Sequence, residues 1–140
     1  QYDLEGLPPG VPVPFGVEFN FAGMAAGAPD RYYYNASGLR LGQLATLNDL
    51  AATGRIGLVD EWLGLDATLD FSIPAAVWTL PIQTISQSEG GFELVHQSCC
   101  VVPHWDVVAE QDGRFSVKIQ MTIDTSAAQA RELSKAAVIG

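Results

Sequence analysis

The sequence predicts an all-β fold, mainly an antiparallel β-sandwich or barrel, closed by a short C-terminal helix. Three stretches carry that prediction. In residues 65–73, Leu65, Ala67, Leu69, Phe71 and Ile73 alternate with Asp66, Thr68, Asp70 and Ser72. In residues 115–123, Phe115, Val117, Ile119, Met121 and Ile123 alternate with Ser116, Lys118, Gln120 and Thr122. Successive side chains of a strand point to opposite faces, so both runs have one apolar face that another layer must cover. Residues 126–138 drop the alternation for Ala127, Ala128, Ala130, Leu133, Ala136 and Ala137. Ser126 followed by Gln129 fits a capping box, so this tail is read as a helix.

The first 15 residues carry Pro8, Pro9, Pro12 and Pro14. Proline fixes φ and removes a ladder donor, so this arm is extended or turn-like and cannot be a central strand. Leu4, Leu7, Val11, Val13 and Phe15 make it too apolar for a plain linker. They are expected to be covered by their own domain or by a neighbouring subunit through strand addition. Val17, Phe19 and Phe21 alternate with Glu18 and Asn20 as a first full strand, and small residues at 22–29 form a loop. Residues 31–35 (RYYYN) suit a strand, since aromatic residues fit a pleated surface. Residues 39–54 are ambiguous: Leu39 and Leu41 alternate, whereas Leu44, Leu47 and Leu50 recur every third residue. Residues 55–59 form a short strand closed by Asp60 and Glu61. Pro74 is expected to break the run before it, after which Trp78, Leu80 and Ile82 point one way and Thr79 and Gln83 the other. Residues 86–91 (SQSEGG) read as a turn, residues 92–102 as a strand interrupted by Pro103, and Asp112-Gly113 as a tight turn. The expectation is seven to nine strands in three parts: an arm at 1–15, a β-sandwich domain at 16–124 and a helical tail at 125–140.

Composition narrows the function. The 140 residues are 48% apolar and 16% charged, which excludes a disordered chain and allows a single domain with a sizeable core. The net charge is −9, with 7 basic residues against 16 acidic ones and no basic cluster. Phosphate-driven nucleic-acid binding and attraction to acidic lipid are therefore not expected. No apolar run approaches the roughly 20 residues of a spanning helix. A chain that begins at Gln1 resembles a processed end, which suggests an extracellular or cell-surface setting.

The densest group of metal-capable residues is His96, Cys99, Cys100 and His104, spaced H-x2-C-C-x3-H. Imidazole and thiolate suit zinc or copper. Strand alternation would put His96 and Cys100 on one face and Cys99 on the other, so a four-ligand site needs a bend at Pro103. Ordinary buried thiols are the simpler reading. Cys99 and Cys100 could also bond each other in a strained ring, or reach other chains. Asp66 and Asp70, with Asp60 and Glu61, have the hard oxygens that calcium takes but lack its loop pattern. They read better as the solvated face of a strand. Asn35-Ala36-Ser37 fits a glycosylation acceptor. There is no G-x-S-x-G, H-E-x-x-H or glycine-rich phosphate loop, so no catalytic residue and no cofactor is assigned.

Leu41-Gly42-Gln43-Leu44, then Asn48, then LDATLDFSIP at 65–74 resembles the choice-of-anchor K domain. Residues 78–86 and 105–108 fall where that family has its next strand and an Asp-x-Val stretch. The resemblance implies a bacterial surface or secreted β-sandwich of unassigned activity, and it transfers no functional residues.

Together these features point to a non-enzymatic structural subunit of an extracellular filament, cell-surface or virion assembly. It would self-associate into a homo-oligomer through Leu4, Leu7, Val11, Val13 and Phe15, and removal of residues 1–14 would leave a folded monomer that no longer assembles. The alternative is a module for sugar or a small ligand, with Tyr32, Tyr33, Tyr34 or Trp105 as stacking platforms. A further alternative is a metal protein centred on His96, Cys99, Cys100 and His104.

Overall fold

The longest strand, Leu65–Ser88, passes through both halves of the molecule, and every other large element is placed by its pairing with it. The computed structural model describes residues 1–139, the side chains of 135–139 excepted; the last residue of the expected 125–140 tail lies outside the described residues. Ten strands are described: β1 (Tyr2–Leu4), β2 (Pro12–Gly16), β3 (Phe19–Ala22), β4 (Arg31–Asn35), β5 (Arg40–Gln43), β6 (Asn48–Asp60), β7 (Leu65–Ser88), β8 (Gly91–Val108), β9 (Phe115–Val117) and β10 (Ile119–Asp124). Helix α1 (Ser126–Ile139) ends the chain. The fold is all-β and antiparallel with a short C-terminal helix, as the alternation predicts. No helix among the described residues is long and apolar enough to cross a membrane.

β7 changes partners halfway. Its first part lies between β6 and β10, with Leu69 opposite Ile56 and Met121. Its second part lies between β6 and β8, with Val77 opposite Leu50 and Pro103. Between them, residues 72–74 have no register partner among the described residues, so Pro74 deprives no ladder of a donor. The strand therefore runs through Pro74 instead of ending there; β8 also runs through its proline, Pro103, although that residue stands in register opposite Val77. The same face of β7 stays inward across the bend: Ala67, Leu69 and Phe71, then Ala75 and Val77. The sheet thus wraps its own core, in which Tyr33, Ile56, Leu58, Val101, Trp105 and Val107 meet the β7 residues.

Within the ambiguous stretch 39–54, β5 and the start of β6 are strand and residues 44–47 form the turn between them. The run at 115–123 divides at Lys118. β9 pairs with β1, whereas β10 pairs with β7, and Lys118 N–H donates to Ser72 Oγ at 2.8 Å where the strand crosses.

The apolar arm is laid on its own domain. β1 pairs with β9, and β2 pairs with β8 along residues 104–108. Leu7 N–H donates to Gly113 O and Gly10 N–H to Ala109 O, each at 3.0 Å. Leu7 and Phe15 pack against the core, Leu4 and Val13 are half-buried, and Val11 is exposed. Proline is tolerated at Pro12 and Pro14 because β2 is an edge strand. Leu7 and Phe15 of the arm are thus covered by their own domain.

At its far end, the β7–β8 pair extends as a two-stranded ribbon. Ile85 lies opposite Leu94 and Gln87 opposite Phe92, and Glu89 and Gly90 make the turn. Cross-strand partners share a face, so Ile85, Phe92 and Leu94 make one apolar, exposed side.

Candidate functional site on the outer sheet face

The aromatic residues divide sharply between core and surface. Trp105 is buried, with its ring stacked on Phe15 at 5.9 Å and edge-on to Phe71 at 6.1 Å. Its indole N–H donates to Ile73 O at 3.2 Å. Tyr33 is fully buried. Neither can offer a ring to a ligand, which corrects the expectation for both. Tyr34 lies so close over Gly57 that a Cβ there would fall 2.1 Å from its ring. Its hydroxyl donates to Asp66 at 2.9 Å, and burial, then this bond, push its pKa up to about 12. Tyr32 is capped by the Arg40 guanidinium, 3.6 Å from the ring centroid, and its hydroxyl donates to Glu61. All three tyrosines are committed to the fold.

Trp78 is different. Pairing of β7 with β8 turns Thr79 inward and Trp78, Leu80 and Ile82 outward. Thr79 is satisfied in the interior, where its hydroxyl accepts from Asn48 Nδ2 at 2.8 Å and donates to Thr46 O at 2.9 Å. Trp78 is 47% exposed. Its indole N–H donates to Asp49 Oδ1 on β6 at 3.1 Å, and its ring rests against His104, diagonal to it on β8, with centroids 4.0 Å apart. His104 is hemmed in from the other side by Gly16, where a Cβ would lie 3.3 Å from the His104 Cβ. The indole is therefore held by a neighbour on each flanking strand. Half of a large, flat, electron-rich surface stays open beside the Asp49 carboxylate. Such a surface stacks against the apolar face of a ring-shaped ligand, and the adjoining carboxylate accepts hydrogen bonds from its hydroxyls. The alternation at 78–82 was visible in the sequence, but only the pairing shows that its apolar side faces out.

The structure does not gather His96, Cys99, Cys100 and His104. The β7–β8 register slips between Ile82 and Gln83, which pairs His96 with Gln83 and skips Gln97. One extra residue reverses the alternation beyond it, so His96 shares a face with Cys99 and not, as expected, with Cys100. His96 Nε2 lies 3.0 Å from Met24 O and 3.7 Å from Cys99 Sγ. Cys100 looks outward toward Asn20 and Leu80, and His104 lies farther along the outer face under Trp78. Both thiols are free and buried. Burial raises both, that of Cys99 to about 11, so neither is poised as a thiolate ligand or nucleophile. Among the described residues, no group of three or more His, Cys, Asp or Glu side chains could hold a metal ion. The carboxylates weighed for calcium each have a protein partner: Asp60 with Arg31, Glu61 with Arg40, Asp66 with Tyr34 and Asp70 with Arg55. Asn35 Oδ1 is engaged by Ser37 and by Leu39 N–H in the β4–β5 turn.

A family model described as Alpha-amylase/4-alpha-glucanotransferase, C-terminal, matches residues 1–119. This is a different family from the one the strand spacing resembles. No curated protein and no solved structure matches the chain.

Proposed function

The chain belongs to the alpha-amylase/4-alpha-glucanotransferase C-terminal family, and from that premise we propose that it is a non-catalytic module that holds glucan for a carbohydrate-active enzyme. The observation that carries the binding half of this reading is Trp78. A pyranose has one face of C–H bonds and an equatorial rim of hydroxyls. The open indole suits the first, and Asp49, beside it, suits the second. Because the ring is already fixed by Asp49 and His104, binding would not have to immobilise it.

The test is affinity electrophoresis of the 140-residue chain through gels containing soluble amylose, with an assay for released reducing sugar. Retardation without sugar release is expected. Replacement of Trp78 by alanine should weaken retention about tenfold, equivalent to about 1.4 kcal/mol. A wild-type chain that migrates unretarded would overturn the reading.

A second reading keeps the module as a subunit of an extracellular, cell-surface or virion assembly. It is favoured by the ribbon of β7 and β8, whose exposed Ile85, Phe92 and Leu94 form an apolar face with no charge among them. Light scattering of the native protein against a variant with serine at all three positions tests it. A mass that drops to the monomer in the variant supports assembly through the ribbon.

A further inference from the structure

We propose that the cleft between the β6–β7 turn and α1 is a second glucan-binding site, with Trp62 as its stacking surface, so that the module grips one chain at two places. This rests on the reading that the module binds glucan, but on different residues.

Trp62 sits at the tip of the turn that joins β6 to β7 and is 72% exposed. Leaving such a side chain in water forgoes roughly 1.5–3 kcal/mol of burial, yet the turn beneath it is rigidly built. Asp60, buried at its base, accepts the Leu63 N–H through Oδ1 at 2.8 Å, and its backbone carbonyl accepts from Gly64 N–H at 2.9 Å. From α1, Arg131 donates to the carbonyls of both Glu61 and Trp62. The helix start is pressed against the turn, since a Cβ on Gly64 would lie 2.6 Å from Ala128 N. Trp62 is thus presented on a braced support, as Trp78 is.

Beside it opens a cleft of about 860 Å³ lined by Trp62, Leu63, Gln129, Arg131, Glu132 and Leu133. That lies within the roughly 300–1,000 Å³ of small-molecule sites. The lining is mixed in a way that selects its occupant. Trp62, Leu63 and Leu133 give an exposed apolar wall, while an amide, a guanidinium and a carboxylate stand at the rim. A wholly apolar ligand would leave the polar rim unused, and a strongly charged one would leave the indole unused. An uncharged ring with one apolar face and a hydroxyl edge satisfies both. Two separate weak sites on a polymer add by effective concentration, so amylose should gain far more from the second site than a short oligosaccharide does.

Titration calorimetry with maltotriose, followed by gel retardation in amylose, tests the proposal. Wild type is expected to bind two maltotrioses, Trp62→Ala and Trp78→Ala one each, and the double variant none. Trp62→Ala should also lower amylose affinity at least tenfold, with Trp62→Phe restoring most of it. Circular dichroism of each variant guards against a folding defect, and Trp62→Ala, at the more exposed position, should leave thermal unfolding unchanged as well. A wild type that binds a single maltotriose, lost in Trp78→Ala and kept in Trp62→Ala, overturns the second site and leaves the first. A wild type that binds neither maltotriose nor amylose overturns both.

Discussion

Asp60, at 1% exposure, has its Oδ2 3.0 Å from Arg31 Nε and its Oδ1 2.8 Å from Leu63 N–H, so one buried carboxylate joins β4 to the β6–β7 turn. Removing one partner of a buried pair leaves the other desolvated, which costs about 3–5 kcal/mol. Asp60→Ala should lose about that much in urea unfolding. Asp60→Asn keeps an acceptor for Leu63 and leaves Arg31 with Asp30 at 3.5 Å, so a loss of about 1–3 kcal/mol is expected. Equal losses in the two variants would mean that the charge matters and the hydrogen bond to Leu63 does not.

The arm is predicted to be a structural part of the domain. Phe15 stacks on Trp105 and contacts Tyr2 at 5.7 Å, and Leu7 packs on the same core. Deleting residues 1–14 should therefore destabilise the monomer, the reverse of what the sequence alone suggested. Phe15→Ala, half-buried, should cost about 2–3 kcal/mol, below the roughly 3–5 of a fully buried phenylalanine. A truncated chain with unchanged thermal stability would show that the arm is dispensable.

How much of this was legible depended on whether period alone decides the outcome. Residues 65–71 alternate and their apolar side is buried, because a strand flanked on both edges has a fixed register. Residues 119–123 alternate as clearly, yet Met121 and Ile123 are exposed, since β10 is an edge strand. The side taken by Trp78 stayed open for a related reason: period separates two faces but does not say which is inward, and here Thr79 takes the core. The slip at Gln97 that parts His96 from Cys100 leaves no mark in composition. Prolines misled where they fall, because Pro74 sits at the change of partners, where no donor is required.

Burial should make both cysteines unreactive. Cys99 is raised from 9.0 to about 11 chiefly by burial, with the nearby Tyr33 hydroxyl acting the other way. A disulfide reagent at pH 8 should label neither thiol in the native protein and both in denaturant. Because the folded value lies above the unfolded one, the stability linked to Cys99 is fully present below pH 9 and is lost as pH rises through about 11. Tyr34, pushed up to about 12 mainly by burial and then by Asp66, extends the same loss from pH 10 to about 12. Urea midpoints measured from pH 8 to 11.5 should fall across that window, and Cys99→Ser should flatten only its lower part. Rapid labelling of Cys99 at pH 8 would contradict the closed interior that both expectations assume.

The last prediction concerns the seat of α1. Gly64 has φ +70°, a conformation that costs a residue with a Cβ roughly 1–2 kcal/mol. A Cβ there would also meet Ala128 N at 2.6 Å, backbone that cannot swing aside. Gly64→Ala must therefore push the helix off the turn, breaking the bonds from Arg131 to Glu61 O and Trp62 O. The β-core does not depend on that contact, since among the described residues Ala128 and Arg131 seat α1 on the turn and Asp60 still holds the loop from below. The expected result is a selective one: helical signal near 222 nm falls, strand signal and the main unfolding transition persist, and Trp62 fluorescence shifts as its environment opens. Arg131→Ala should move the same signals in the same direction but less, because it removes the clamp and leaves the packing. A Gly64→Ala protein with full helical signal and unchanged fluorescence would show that α1 is not seated on this turn.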